Sequence, residues 1–273
     1  MVTQTDIENS LKEIGLKAGD TVLFHSSLKS FGQVDGGADA VISAFLNIVT
    51  SEGTVIVPTL SQKDFDNSYK TWHMDKPSDV GIITEVFRKK PEALRSDQAT
   101  HSVAAIGKLA EFYTCTHGKS GLRNGPYGET PFSDDSPWQK MHDNNIKVVF
   151  IGVGFESYTL KHLIEYTLAE NALKVAESRG EYEKCAKEVL SFDKRCEREN
   201  YIWPSLSSAK MLETGLKYNL ISSAMCGNSE LMAFNAKDLD DAVTKELYKN
   251  LDYWFSAEWH VKTLAWMKEN TKN

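Results

Sequence analysis

Two residues one helical turn apart, His162 and Glu165 in YTLKHLIEYTLAE, have the types and the spacing needed for proton transfer. At i and i+3 both side chains share one helix face. Imidazole titrates near neutral pH, and a carboxylate beside it fixes the ring's tautomer and raises its basicity. The pair is a candidate general base. The same pair on a solvated surface helix would do nothing, and the residues alone leave both readings open. A metal site fits less well, because neither a His-Glu-x-x-His pattern nor a third ligand lies nearby.

A second stretch, VLFHSSLKSFGQVDGGADAVISAF, has the form of a strand, a loop and a helix. Small residues let backbone approach a ligand, and free N–H groups at a helix start favour anionic oxygens. A phosphate or pyrophosphate is the natural occupant. The competing reading is a plain β–loop–α connection in which Gly and Ser only form the turn. Better-known signatures fail. A P-loop ending at Gly118-Lys119-Ser120 would need glycine where Tyr113 stands, and a dinucleotide fingerprint starting at Gly152-Val153-Gly154 would need it at Ser157. No Gly-x-Ser-x-Gly nucleophile elbow is present.

The elements that must position these residues follow from hydrophobic pattern. TVLFHSS (21–27), TVIVPT (54–59) and KVVFIGVG (147–154) are short, β-branched and apolar without alternation, as strands buried on both faces are. SVAAIG (102–107) is a weaker fourth. Helical periodicity runs through 5–17, 38–49 and 78–91. The alternation predicts an α/β fold with a largely parallel central sheet flanked by helices. KVVFIGVG would then carry His162 to the carboxyl edge of the sheet, where ligands of open α/β folds bind. Beyond about residue 172 the chain is highly charged and lacks a clear strand pattern. We expect one domain over 1–273, with an α/β core at 1–172 and a smaller, mainly helical subdomain at 173–273, including helices at 235–251 and 257–270.

Composition narrows the partners. With 273 residues, 41% hydrophobic and six Trp, the chain can bury a large core. A net charge of −7 disfavours nucleic acid, which is bound by clustered Lys and Arg. No apolar run approaches the roughly 18 residues a membrane span needs, and the polar, acidic stretch MVTQTDIENS is not expected to act as a signal peptide. The four cysteines are scattered, as free thiols in a reducing cytoplasm would be. A cytoplasmic protein acting on small molecules, oligomeric or not, is the expectation.

HSSLKSFG, GGADAVISAFLNIVTSEGTVIVPT, RSDQATHSVAAIGKLAE, SPWQKM and KVVFIGVGFESYTLKHLIEY come in the order and at roughly the spacing of one family. Over about residues 5–250 the chain resembles the aminoglycoside 3-N-acetyltransferases, also called antibiotic N-acetyltransferases, whose fold differs from the GNAT acetyltransferases. The resemblance implies acyl transfer from acyl-coenzyme A to an amino group on a sugar, and the residues give no reason to expect a metal. It implies that His25, Ser26, Ser27, Leu28, Lys29, Ser30 and Gly32 hold the coenzyme, that Ser102, Val103 and Ala104 line its pantetheine arm, and that His162 and Glu165 are catalytic. Asp134 and Asp135 fall where the family has an acidic loop near the cleft. Two departures stand out. Asp97-Gln98 replaces a His-Pro pair, so any role of that histidine is lost or passes to His101, and the segment at 60–80 is short.

The chemistry so implied is direct attack of a free amine on the thioester, with His162 as base. Thr159 or backbone N–H groups near 102–104 are the candidates for stabilising the oxyanion, and no cysteine lies in these motifs to form an acyl-enzyme. Thr159, His101, Asp134 and Asp135 are expected on the acceptor side. The preferred acceptor is a nucleotide-linked amino-deoxysugar for surface polysaccharide, because Arg95, Lys119 and Arg123 accompany the acidic residues and the 60–80 loop is short. An aminoglycoside acceptor, with antibiotic resistance as the outcome, is the alternative, and a thioester or amide hydrolase on the same fold is a further one.

Overall fold

The computed structural model describes residues 1–61, 63, 71–117, 131–185 and 206–254. The strands are β1 (Thr21–Ser26), β2 (Thr54–Pro58), β3 (Leu94–Arg95), β4 (Val103–Gly107), β5 (Lys147–Ile151), β6 (Ser222–Cys226) and β7 (Ser229–Asn235). The principal helices are α1 (Gln4–Glu13), α2 (Gly37–Val49), α3 (Ile82–Phe87), α4 (Ala110–Thr114), α5 (Pro137–Asp143), α6 (Lys161–Ser178), α7 (Ser208–Lys217) and α8 (Ala236–Lys249). The strands form one sheet in the order β3-β4-β2-β1-β5-β7-β6.

The sheet is flanked by helices as the pattern predicts, but its pairing is mixed rather than largely parallel. Only β2, β1 and β5 run parallel. The outer pairs, β2–β4, β3–β4, β5–β7 and β6–β7, are antiparallel. The three central strands are the ones whose sequences read as apolar throughout, and side-chain alternation explains why. Leu23, Ile56, Val148 and Phe150 point into one core, and Val22, Phe24, Val55, Val149 and Ile151 into the other. A strand with a core on each side cannot carry an alternating pattern.

Among the described residues the C-terminal part is mainly helical, as expected, but it also supplies β6 and β7 to the same sheet. SSAMC escapes a strand reading because it is a short edge strand, serine-rich and with Met225 exposed. Its hairpin with β7 turns at Gly227-Asn228, where Gly227 takes φ 59°. That positive φ is the signal a two-residue hairpin turn requires, and glycine adopts it at no steric cost. The expected helix at 257–270 lies outside the described residues, as do Lys119 and Arg123. No helix among the described residues is long and apolar enough to cross a membrane.

Candidate active site

β5 delivers the helix that carries His162 through a compact connection. After Ile151 the chain turns at Gly152 (φ 59°), where an added Cβ would collide with Ser30. It passes a single 3-10 turn at Phe155–Ser157 and enters α6. The first turn of α6 is tied by His162 N–H to Thr159 O at 3.1 Å and Leu163 N–H to Leu160 O at 2.9 Å. α6 buries one broad face, with Leu163, Ile164, Tyr166, Leu168, Ala172 and Leu173 all buried, and leaves Thr167, Lys174 and Glu177 exposed. The buried face belongs in the interior. A charged side chain on it therefore needs a partner.

Glu165 has two. Its Oε2 lies 2.5 Å from His162 Nδ1, and its Oε1 accepts from the Leu206 backbone N–H at 2.8 Å. Glu165 is 0% exposed, whereas the His162 side chain retains 26% exposure. A carboxylate at Nδ1 requires the ring proton to sit there, so Nε2 carries the basic lone pair. This is the orientation that a general base needs.

His101 stands beside this pair, its ring 6.0 Å from that of His162 and 5.1 Å from that of Phe132. Burial first, then the neighbouring His162, push the His101 imidazole well below its ordinary range, so it is neutral. Gln98 Oε1 accepts from the N–H groups of Thr100 and His101, and Trp138 Nε1 donates to His101 O at 2.9 Å. Trp138 belongs to the SPWQKM segment, whose Ser136 caps α5 through Gln139 N–H with proline at the first helical position. The substituted Gln98 thus organises the turn that presents His101.

His25 occupies the opposite wall. Its parity along β1 matches Leu23, so it faces the core under α6, edge-on to Phe150 at 5.7 Å. Burial alone lowers its imidazole to about 3, and its Nε2 and the Ser26 hydroxyl have no hydrogen-bond partner among the described residues. Both residues line a cleft of about 360 Å³ with His101, Thr159, Lys161 and His162. The cleft lies at the carboxyl ends of β1, β2 and β5, as the sheet-edge argument predicts.

The other expected residues are placed differently. Ser27, Leu28, Lys29, Ser30 and Gly32 lie beyond the cleft lining: Ser30 Oγ donates to Ser27 O at 2.6 Å and meets Ser229 Oγ at 2.9 Å, and Gly32 sits by Asn228. Ser102, Val103 and Ala104 are 0% exposed and woven into the sheet. Val103 N–H donates to Ser96 Oγ, and Ala104 is paired on both sides, so neither strand position is available as an oxyanion donor. Asp134 and Asp135 are exposed and outside the cleft lining. Arg95, half-buried, is spent on Thr59, Met74 and Lys76 carbonyls. Missed by sequence reading were Lys161, buried to 7% exposure in the cleft wall, and the clamp at Leu206. Lysine beside the histidine in TLKH was the available sign.

Comparison with known proteins bears on the family and the fold. The family model described as "Aminoglycoside 3-N-acetyltransferase" matches residues 23–248. The SPbeta prophage-derived aminoglycoside N(3')-acetyltransferase-like protein YokD of Bacillus subtilis is 31% identical over 245 residues, covering 82% of this chain and 86% of that protein. Aminoglycoside N(3)-acetyltransferase VII of Streptomyces paromomycinus is 29% identical over 182 residues, 60% of each chain. Among solved structures, AAC-IIIb in binary complex with coenzyme A superposes with a TM-score of 0.68 at 18% identity, over 93% of this chain and 98% of that one. The fold, the cleft and the matched length lead to one assignment: the chain belongs to the aminoglycoside 3-N-acetyltransferase family.

Proposed function

We propose that the chain transfers an acyl group, acetyl in the first instance, from acyl-coenzyme A to a primary amine of an aminoglycoside. The observation that carries this is the His162–Glu165 contact of 2.5 Å, with Glu165 buried and clamped by Leu206. The free amine attacks the thioester carbonyl, and His162 Nε2 accepts its proton as the C–N bond forms. The C–S bond then breaks, and the coenzyme leaves as its thiol after taking a proton. General-base assistance of this kind contributes roughly 10²–10⁴-fold. With the strand amides of 103 and 104 engaged in the sheet, Thr159 and Lys161 are the cleft groups that answer the developing oxyanion. His25 and Ser26 offer unpartnered polar groups to the coenzyme arm, and His101 and Thr159 serve the acceptor side.

Supporting the acceptor class are the relatives named for aminoglycosides and a mutant of AAC(3)-IVa solved in complex with apramycin. One observation favours a second reading, a nucleotide-linked amino sugar. Lys161 is the cation of the described cleft lining and Glu156 its carboxylate, whereas a polycationic acceptor calls for several carboxylates. A thiol-release assay with acetyl-coenzyme A decides between them. Faster turnover of kanamycin-type amines than of amino-deoxysugar nucleotides is the expected result, and the reverse order overturns the aminoglycoside reading. No amine-dependent thiol release from any acyl-coenzyme A would defeat the transferase reading itself.

A further inference from the structure

A second recess of about 180 Å³ lies behind α6. Leu163, Ile164, Thr167 and Leu168 of α6 line it. At 3.6 residues per turn these positions occupy the side of α6 turned away from His162 and Glu165. Asp240, Thr244 and Tyr248 of α8 and His142 of α5 complete the lining.

Asp240 is 1% exposed, and only one of its oxygens is satisfied. Tyr158 OH donates to Oδ1 at 3.0 Å, while Oδ2 has no hydrogen-bond partner among the described residues. The groups around it do not meet that need. His142 Nε2 stands 3.9 Å from Oδ2 and engages Asp143 through Nδ1, and Lys237 is paired with Asp241 at 2.7 Å. A buried carboxyl oxygen without a partner costs the desolvation of that group. Burial accordingly raises the Asp240 carboxyl well above its usual range, and it holds a proton when nothing engages it.

The structure assigns to this recess a binding site for a small organic ammonium. The unmet acceptor takes the N–H of a cation, and Leu163, Ile164, Leu168 and the Tyr248 ring take a short aliphatic tail. A bare metal ion suits it poorly, since no group of three or more His, Cys, Asp or Glu among the described residues is arranged to hold one. Size is adequate, because cavities of ~150 Å³ accept a benzene-sized guest. The site is not isolated from the chemistry. Tyr158, bonded to Asp240, also lines the main cleft, and its carbonyl accepts the Lys161 N–H at the start of α6.

The probe is n-butylammonium chloride, titrated calorimetrically into the full chain at constant ionic strength, with 1-butanol as the uncharged control. Saturable binding is expected, with affinity rising with pH because Asp240 must release its proton. Asp240→Asn keeps an acceptor for Tyr158 but turns an amide N–H toward the ligand, and should bind ~10-fold more weakly, the effect of a lost charged hydrogen bond. Thr244→Met fills the recess without touching Asp240 and should abolish binding. The assignment is overturned if n-butylammonium shows no saturable binding, if 1-butanol binds as tightly, or if Thr244→Met binds like the unaltered chain. Because the readout is binding, it is independent of acyl transfer in the main cleft.

Discussion

Glu165 grips His162 from a position that solvent does not reach, with one oxygen on the imidazole and the other on a backbone N–H forty-one residues further along the chain. The carboxylate is therefore fixed before any substrate arrives, and the ring it holds is the part left at the cleft.

Glu165→Gln tests that grip. The Leu206 N–H keeps the amide oxygen as its acceptor, which turns the amide N–H₂ toward His162 Nδ1. Nδ1 must then accept, and the proton moves to Nε2, where the base is needed. We expect kcat to fall by at least ~10²-fold, the lower bound of general-base losses, with the circular-dichroism melting curve little changed. Turnover near that of the unaltered enzyme would refute the tautomer argument.

His162→Ala removes the base while leaving the cleft walls in place. A loss in kcat of two or more orders of magnitude, about the worth of a general base, is expected, with coenzyme A affinity by calorimetry unchanged. A variant retaining full turnover at saturating substrates would show that another group accepts the proton.

Lys161→Met separates two roles for the cation of the cleft wall. If the ammonium answers charge that develops on the thioester oxygen, kcat falls by ~10-fold or more, as for a lost charged hydrogen bond, and the KM for acetyl-coenzyme A stays put. An unchanged kcat would exclude that role.

The buried histidines fix the direction of the stability–pH profile. His25 and His117 are both lowered by burial to about 3 from an ordinary 6.5. Each takes up a proton in the unfolded chain at a pH where the folded chain refuses it, so stability is whole above about 6.5 and is lost as pH falls toward about 3. Urea midpoints should decline through that window. His25→Leu should flatten the decline and raise Tm at neutral pH by about 2–4 °C, the shift that ~1 kcal/mol produces in a domain of a few hundred residues, while raising the KM for acyl-coenzyme A. A lower Tm would mean the histidine is stabilising where it sits.

The sequence made the His162–Glu165 pair legible because helix periodicity is local: three positions apart is one face whatever lies around it. The central strands were legible for a similar reason, since a core on each side removes all polar residues from Val148 to Ile151. Pairing direction was not. It depends on which partners cover β5, and β7 arrives from some eighty residues later. The loop residues from Ser27 to Gly32 look alike in sequence to those that line the cleft, and only the hairpin contact of Ser30 with Ser229 shows which way they turn. Lys161 sits at a position where a helix would be expected to carry solvent-facing charge. It falls instead on the buried face of α6, with Ile164, Glu165 and Leu168.

The clamp on Glu165 also orders events in time. Leu206 follows the whole of α6, and β7, which pairs with β5 along its full length from Lys147 to Ile151, follows later still. A chain emerging from the ribosome can form β1, β2 and β5 with His162 already at their edge. It holds an open strand edge and an unclamped carboxylate until residue 206 and then residues 229–235 have been made. The clamp is thus completed late in synthesis, and a chain ended before Leu206 would carry both members of the pair without the backbone N–H that holds the carboxylate.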